Sequence, residues 1–407
     1  MLDSLRSGSW LTAERLRVYP LIFIVFYAIA LGWTVCNWDG KLDATGQPLG
    51  TDYSEVYAAG TLVLEGKPAL PYDNGAHAAR QRDLFGPKAP FYAWGYPPYF
   101  LGLAALFAIF PYVLALILWQ ASTFPLYAGA VRAALPLPWR QILPAAAGFP
   151  AVFVNLGHGH NGFLTAGLLG LGLVLLERRP LLAGMLFGCL AYKPQYGLLL
   201  PIALLAGFHW RALLAAAATA ALLTLATLAA FGTETWQGFF ASIPFSREIV
   251  VEQGNTGWYK LQTVFAAVRM LGGSVSMAYG FQGLSTLTCA LAIGWLWLRR
   301  ADWRLRSAAL MTATLLSTPY ALDYDMMVLG PALAMSVAYL LEKGFGDWEK
   351  TLLASVWLMP LIARTFAKAT HLPFGLIMTL ILFALVLRRG IVDLRRSAPA
   401  SPRPAAA

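Results

Sequence analysis

Four short stretches carry residues whose types and spacing can do chemistry. Thr51-Asp52-Tyr53 sets a carboxylate at the start of an apparent helix, in which Val56, Ala59, Leu62 and Val63 recur at helical spacing. Gly157-His158-Gly159-His160-Asn161 places two imidazoles one residue apart. Tyr192-Lys193-Pro194-Gln195 puts an ammonium inside an apolar run, and Pro319-Tyr320-Ala321-Leu322-Asp323-Tyr324-Asp325 ends another on two carboxylates. A carboxylate within hydrogen-bond reach of a hydroxyl can take its proton as that oxygen attacks, and Asp52 is the candidate. Each feature also has a structural reading. Asp52 can cap the helix that follows it. His158 and His160 can form a metal-binding HxH pair or belong to a glycine-rich turn. Lys193 can snorkel to an interface. Asp323 and Asp325 are favourable near a helix start. Arg364 and Lys368 are read as ordinary flanking residues.

The elements that must position these groups are membrane helices. The chain has 407 residues, 58% of them hydrophobic and only 12% charged, with a mean hydropathy of +0.60. A soluble domain carries about 25% charged residues, so the composition implies a polytopic membrane protein. Fourteen Trp, seventeen Tyr and twenty-three Phe suit interfacial belts. The net charge of +10 could suggest nucleic acid as a partner. The basic residues sit instead in short runs between apolar segments, so no nucleic acid is implied. Cys36, Cys189 and Cys289 lie in apolar surroundings and read as packing residues, with no disulfide frame or metal site. The first apolar run, residues 19–36, is too long and too late for a cleaved signal peptide.

Taken in order, the apolar segments give an all-α fold of about 12 transmembrane helices with both termini cytoplasmic. A long polar stretch, residues 50–100, forms a large first extracytoplasmic loop. Loops of that length without regular structure are uncommon and usually functional. The run over 100–131 exceeds one span, with Pro111 and Pro125 as expected breaks. Residues 181–208 have basic residues on both sides, which implies two short helices with Lys193 at the outer tip. Residues 213–231 span outward, 232–261 form a second polar loop, and 262–275 read as an amphipathic interfacial segment. Residues 1–396 form one transmembrane domain, and the Ala/Pro-rich tail 397–407 is expected to be disordered and cytoplasmic. No internal repeat is evident. With basic turns inside, Asp52, His158, His160, Asn161, Lys193, Gln195, Arg247, Lys260, Tyr320, Asp323 and Asp325 all fall at the outer end. Ionisable groups at membrane depth are costly and usually functional.

Four groups of residues, three of them drawn from these stretches, give the chain a resemblance to a known family. They are Asp52-Tyr53 with Tyr57-Ala58-Ala59 and Gly66-Lys67-Pro68; Tyr96-Pro97-Pro98; Gly159-His160-Asn161-Gly162 with Tyr192-Lys193-Pro194-Gln195; and Thr318 to Asp325. Their order resembles the membrane-embedded GT-C glycosyltransferases, specifically glycosyltransferase family eighty-seven, whose best-known members are polyprenol-phosphate-mannose-dependent mannosyltransferases. The resemblance implies a GT-C fold, a polyprenyl-phosphate-linked sugar donor (mannose or another hexose) and an essential Asp in the first outer loop, which Asp52 matches. The implied enzyme is a hexosyltransferase of the cell envelope. It sits in a bacterial inner membrane, faces the periplasm or cell exterior, and transfers to a glycan or glycolipid acceptor. Some relatives carry histidine where this chain has Asp323-Tyr324-Asp325. On this reading Lys193, Arg247 and Lys260 bind the donor phosphate, and Tyr53, Tyr96, His158, His160, Asn161, Gln195, Tyr320, Asp323 and Asp325 bind substrate. No cofactor and no metal are inferred, since no DxD-type pair lies near Asp52. Two other functions share parts of the pattern: a secondary transporter, which also uses intramembrane charges, and a lipid-linked oligosaccharide ligase or polymerase.

Overall fold

Apolar runs bounded by glycine, proline and short basic turns fold into helices along almost the whole chain. A computed structural model describes residues 1–397. In order the helices are α1 (Leu2–Ser7), α2 (Ala13–Cys36), α3 (Tyr53–Leu64), α4 (Asn74–Phe85), α5 (Tyr99–Ala108), α6 (Tyr112–Ala134), α7 (Trp139–Ala147), α8 (Pro150–His158), α9 (Gly162–Leu175) and α10 (Pro180–Cys189). They continue as α11 (Leu200–Ala206), α12 (Trp210–Ser246), α13 (Val264–Met270), α14 (Val275–Leu298), α15 (Trp303–Leu316), α16 (Leu329–Lys343), α17 (Glu349–Leu358), α18 (Ala363–Thr370) and α19 (Phe374–Ser397). No strand forms among the described residues; one isolated backbone bridge joins Leu261 to Leu322. The expected tail lies, from residue 398, outside the described residues, and Ser397 ends α19.

The chain is an all-α polytopic membrane protein. Among the described residues six helices are long and apolar enough to cross a membrane, and a seventh crossing arises if the bent pair α17 and α18 counts as one span. The remaining apolar helices are shorter than the roughly 20 residues a span needs. Proline and glycine are the reason. Phe149-Pro150 divides α7 from α8, and Pro194 follows the break at Lys193. Pro111 ends the helical run before α6 as expected, whereas Pro125 is accommodated inside α6. Residues 232–246, expected as loop, continue α12 beyond a kink at Gly232, whose φ of 76° only glycine adopts readily. The segment read as interfacial contains α13, whose Phe265, Ala266 and Ala267 are buried.

Ion pairs mark the two ends of the bundle. At the basic end Arg6 meets Asp347 at 2.6 Å, Arg304 meets Asp302 at 2.7 Å, and Glu349 is held by Arg388 and Arg389. There Glu177, before α10, lies 3.7 Å from His209, after α11, and also pairs with Arg306. The α10–α11 segment therefore leaves this end and returns to it, with Lys193 at its far point. At the opposite, loop end, α3 packs on α5 so closely that a Cβ at Gly60 would lie 2.6 Å from the Ala104 carbonyl carbon. Beneath them Tyr53, Tyr96, Phe100 and Trp119 belong to the main apolar core. The three cysteines are unpaired; Cys289 is buried, and Cys36 and Cys189 are exposed on apolar helices.

Candidate active site

Asp52 sits at the N-cap position of α3, but its side chain makes no capping hydrogen bond, and its backbone is already helical. The capping role is therefore not what holds it. Its Oδ1 instead accepts from Thr51 Oγ1 at 3.3 Å and lies 3.5 Å from His158 Nδ1. His158 closes α8, where Gly159 at φ 57° turns the chain back into the site. Its Nδ1 is 2.6 Å from Thr51 Oγ1, and its Nε2 is 2.9 Å from Arg364 Nη2. An arginine can only donate, so Nε2 must be the acceptor and Nδ1 carries the proton. Nδ1–H then donates to Thr51 Oγ1, and the Thr51 hydroxyl donates to Asp52 Oδ1. Arg364 also grips Asp323 through both Nε and Nη2, the latter at 2.9 Å.

A second pair lies alongside. Lys193 Nζ donates to Asp325 Oδ1 at 2.7 Å, with side chains only 4% and 2% exposed. Asp325 Oδ2 accepts from the Leu322 backbone at 3.0 Å. The Lys193 ammonium also lies 5.4 Å from the ring of Tyr196 and 5.8 Å from that of Tyr324. Tyr324 stacks on His160 with ring centres 3.5 Å apart, and His160 Nε2 lies 2.9 Å from the Tyr96 hydroxyl. The two histidines thus face different partners and do not converge as a chelating pair. His160 Nδ1, Tyr53 Oη and Asn161 Oδ1 are buried with no hydrogen-bond partner among the described residues. Such groups are rare and call for an explanation.

The electrostatics separate the carboxyls. Burial alone would raise the Asp52 carboxyl, but His158 and hydrogen bonds from His158, Tyr324 and Thr51 outweigh it and hold it below its ordinary value. Glu55, one turn later on α3, is pushed well above the usual carboxylate range by burial and by the charge of Asp52. Burial, with Lys193 and His158 nearby, drives the His160 imidazole well below its usual value. The cluster thus combines a carboxyl held below its ordinary value, one pushed well above it, and two in ion pairs.

The structure brings Asp52, His158, His160, Tyr96, Lys193, Asp323 and Asp325 together. Tyr53, Asn161 and Gln195 lie on the adjoining turns, and Tyr320 packs beside Tyr324. Arg247 and Lys260 stand apart from it: Arg247 is exposed and pairs with Glu252 at 3.2 Å, and Lys260 ends the short 3-10 turn Trp258–Lys260. Arg364, read from sequence as an ordinary flank, is a central member. It lies 41 residues from Asp323 and 206 from His158, so no local pattern signals it. Thr51 and Glu55 also belong to the cluster, and only burial distinguishes Glu55 from an ordinary polar helix residue.

The sequence model of glycosyltransferase family 87 matches residues 94–319. The chain belongs to glycosyltransferase family 87. The match contains Tyr96, the two histidines, Asn161 and Lys193, and it ends before Asp323 and begins after Asp52. No curated protein and no solved structure matches the chain. A family 87 glycosyltransferase with this architecture is a membrane enzyme that moves a sugar from a donor to an acceptor.

Proposed function

We propose that this glycosyltransferase takes a hexose from a polyprenyl-phosphate donor and transfers it to a glycan or glycolipid, with Asp52 as general base. The site faces the outer side of a bacterial inner membrane. One observation carries the assignment of the base. Among the cluster's carboxyls, Asp52 is held ionised, is 19% exposed and has no arginine or lysine partner among the described residues. Asp323 and Asp325 are 2% exposed and are neutralised by Arg364 and Lys193. Burial and the charge of Asp52 push the Glu55 carboxyl well above the usual carboxylate range, which disfavours its base form. A base must be both unprotonated and within reach of the acceptor.

In the proposed step the acceptor hydroxyl gives its proton to Asp52 as its oxygen bonds to the anomeric carbon. The bond from that carbon to the phosphate oxygen breaks, and polyprenyl phosphate leaves as an anion. The proton on Asp52 then passes to water. Thr51 and His158 hold the carboxylate for this, with Arg364 fixing the His158 tautomer. Arg364 and Lys193 supply positive charge near the leaving phosphate, a role for which Arg247 and Lys260 are less well placed. His160 Nδ1, Tyr53 Oη and Asn161 Oδ1 are polar groups that the sugar can satisfy.

The donor class is tested with purified protein and two sets of labelled donors, polyprenyl-phosphate sugars and nucleotide sugars. Transfer from a member of the first set and none from the second is expected. Transfer from nucleotide sugars alone would overturn the donor assignment.

A further inference from the structure

Beside the Asp52 cluster, the loop end carries a second concave site that the proposed chemistry does not use. It is a cavity of about 330 Å³ between the Trp258–Lys260 turn, α13 and α18, open to the surface. Its walls include Trp258, Tyr259, Lys368 and His371. That volume lies within the range of small-molecule sites, about 300–1,000 Å³.

The aromatic walls are fixed in place. Trp258 Nε1 donates to the Val251 carbonyl at 2.9 Å, and the Arg269 guanidinium lies 4.5 Å from the indole. Arg269 is itself held by the Gly273 carbonyl at 2.7 Å and the Glu252 carbonyl at 3.2 Å. Both rings rest against glycines of positive φ. A Cβ at Gly254 (φ 66°) would lie 2.5 Å from Trp258 Nε1, and one at Gly257 (φ 87°) would lie 2.8 Å from the Tyr259 ring. Any other residue at either position would push a ring out of place, besides straining the backbone. The charge is equally one-sided. Lys368 Nζ sits 5.7 Å from the Tyr259 ring centre and forms no ion pair among the described residues. His371 adds an imidazole, and among the described residues no acidic side chain lines the cavity.

The site is tied to the cluster by two short routes. Lys368 follows Arg364 by four residues on α18, so both project from one face. The Trp258–Lys260 turn leads directly into the bridge between Leu261 and Leu322, where Gln262 N donates to the Ala321 carbonyl at 2.8 Å. Asp323 follows Leu322. An aromatic ring presents a negative face to the C–H bonds of a sugar, and an unpaired ammonium binds a phosphate or carboxylate.

We propose that this cavity is the acceptor subsite and that it holds an anionic sugar unit of the acceptor. The proposal rests on the glycosyltransferase reading above, but its test does not. Full-length protein in phosphatidylcholine nanodiscs is titrated with glucose 6-phosphate, with methyl glucoside as the neutral control. Binding is followed by calorimetry and by saturation-transfer NMR. Glucose 6-phosphate is expected to bind wild type and Asp52→Asn alike, methyl glucoside more weakly, and Lys368→Gln and Tyr259→Ala at least about tenfold more weakly. No binding to wild type, or equal binding by Lys368→Gln and Tyr259→Ala, overturns the proposal. So does loss of binding in phosphatidylglycerol discs with lipid retained in the cavity, which would make it a phospholipid headgroup site. Retained binding by Asp52→Asn together with normal transfer would refute the base while leaving the subsite intact.

Discussion

Lys193 and Asp325 show how an ion pair changes what a substitution reports. Breaking a buried pair by removing one partner costs about 3–5 kcal/mol, because it leaves a charge buried and uncompensated. Lys193→Met should therefore lower the melting temperature sharply, and Lys193→Met with Asp325→Asn should recover much of it. A single variant as stable as wild type would mean that the pair does not form. Asp52 gives a pH prediction instead. Its carboxyl is held below the ordinary Asp value, so its base form persists as the pH falls until that lowered value is passed. The same shift contributes stability above the unfolded value, which is lost on acidification through the folded one. The acid limb of kcat/KM should therefore lie below the usual Asp value of about 3.9. His158→Ala should move that limb upward, because His158 is among the groups that favour the charged form. An unmoved limb would argue against the support that Thr51 and His158 give the carboxylate. At this scale the sequence revealed the groups with unusual company: an Asp at a helix start, a Lys before a proline, two carboxyls at the end of an apolar run. It concealed Arg364 and Glu55, whose types and neighbours are ordinary and whose roles come only from tertiary packing.

The elements were legible where hydrophobicity runs long and illegible where it is interrupted. Residues 181–208 were readable as two short helices because basic residues bound them on both sides. The continuation of α12 past Gly232 was not, because a glycine and polar residues look alike in a loop and at a kink. The same limit applies to α5, ten apolar residues that pack on α3 of the first loop. This contact holds Asp52 at its end of the site and predicts a fault far from the chemistry. Gly60→Val would force α3 away from α5, since Ala104 and Ala108 leave no space for a side chain. Overpacking of this kind costs about 1–3 kcal/mol, so a lower melting temperature and weakened transfer are expected together. A variant that melts and transfers like wild type would show that α3 is not held there. On α18, Arg364→Lys keeps the charge but loses the fork that reaches Asp323 and His158 at once. Turnover should fall about tenfold or more, and unchanged turnover would remove Arg364 from the site.

Across the whole molecule, the separation of a basic end from a loop end was readable from the distribution of charge along the chain. The number of crossings was less readable, because the apolar runs that are too short to span alone are those which proline and glycine divide. If the loop end faces outward, a cysteine placed at Lys67 in a cysteine-free background should react with an impermeant reagent in intact cells, and one at Arg178 should not. The reverse pattern would invert the protein and the site with it. The most direct test of the central claim compares Asp52→Asn with wild type in one membrane preparation, recording melting temperature, donor binding and transfer side by side. Asparagine keeps the size of the side chain but cannot accept the proton. The account predicts an unchanged melting temperature, retained donor binding and transfer lowered by about 10²–10⁴-fold. A stable Asp52→Asn protein that transfers at close to the wild-type rate would contradict it.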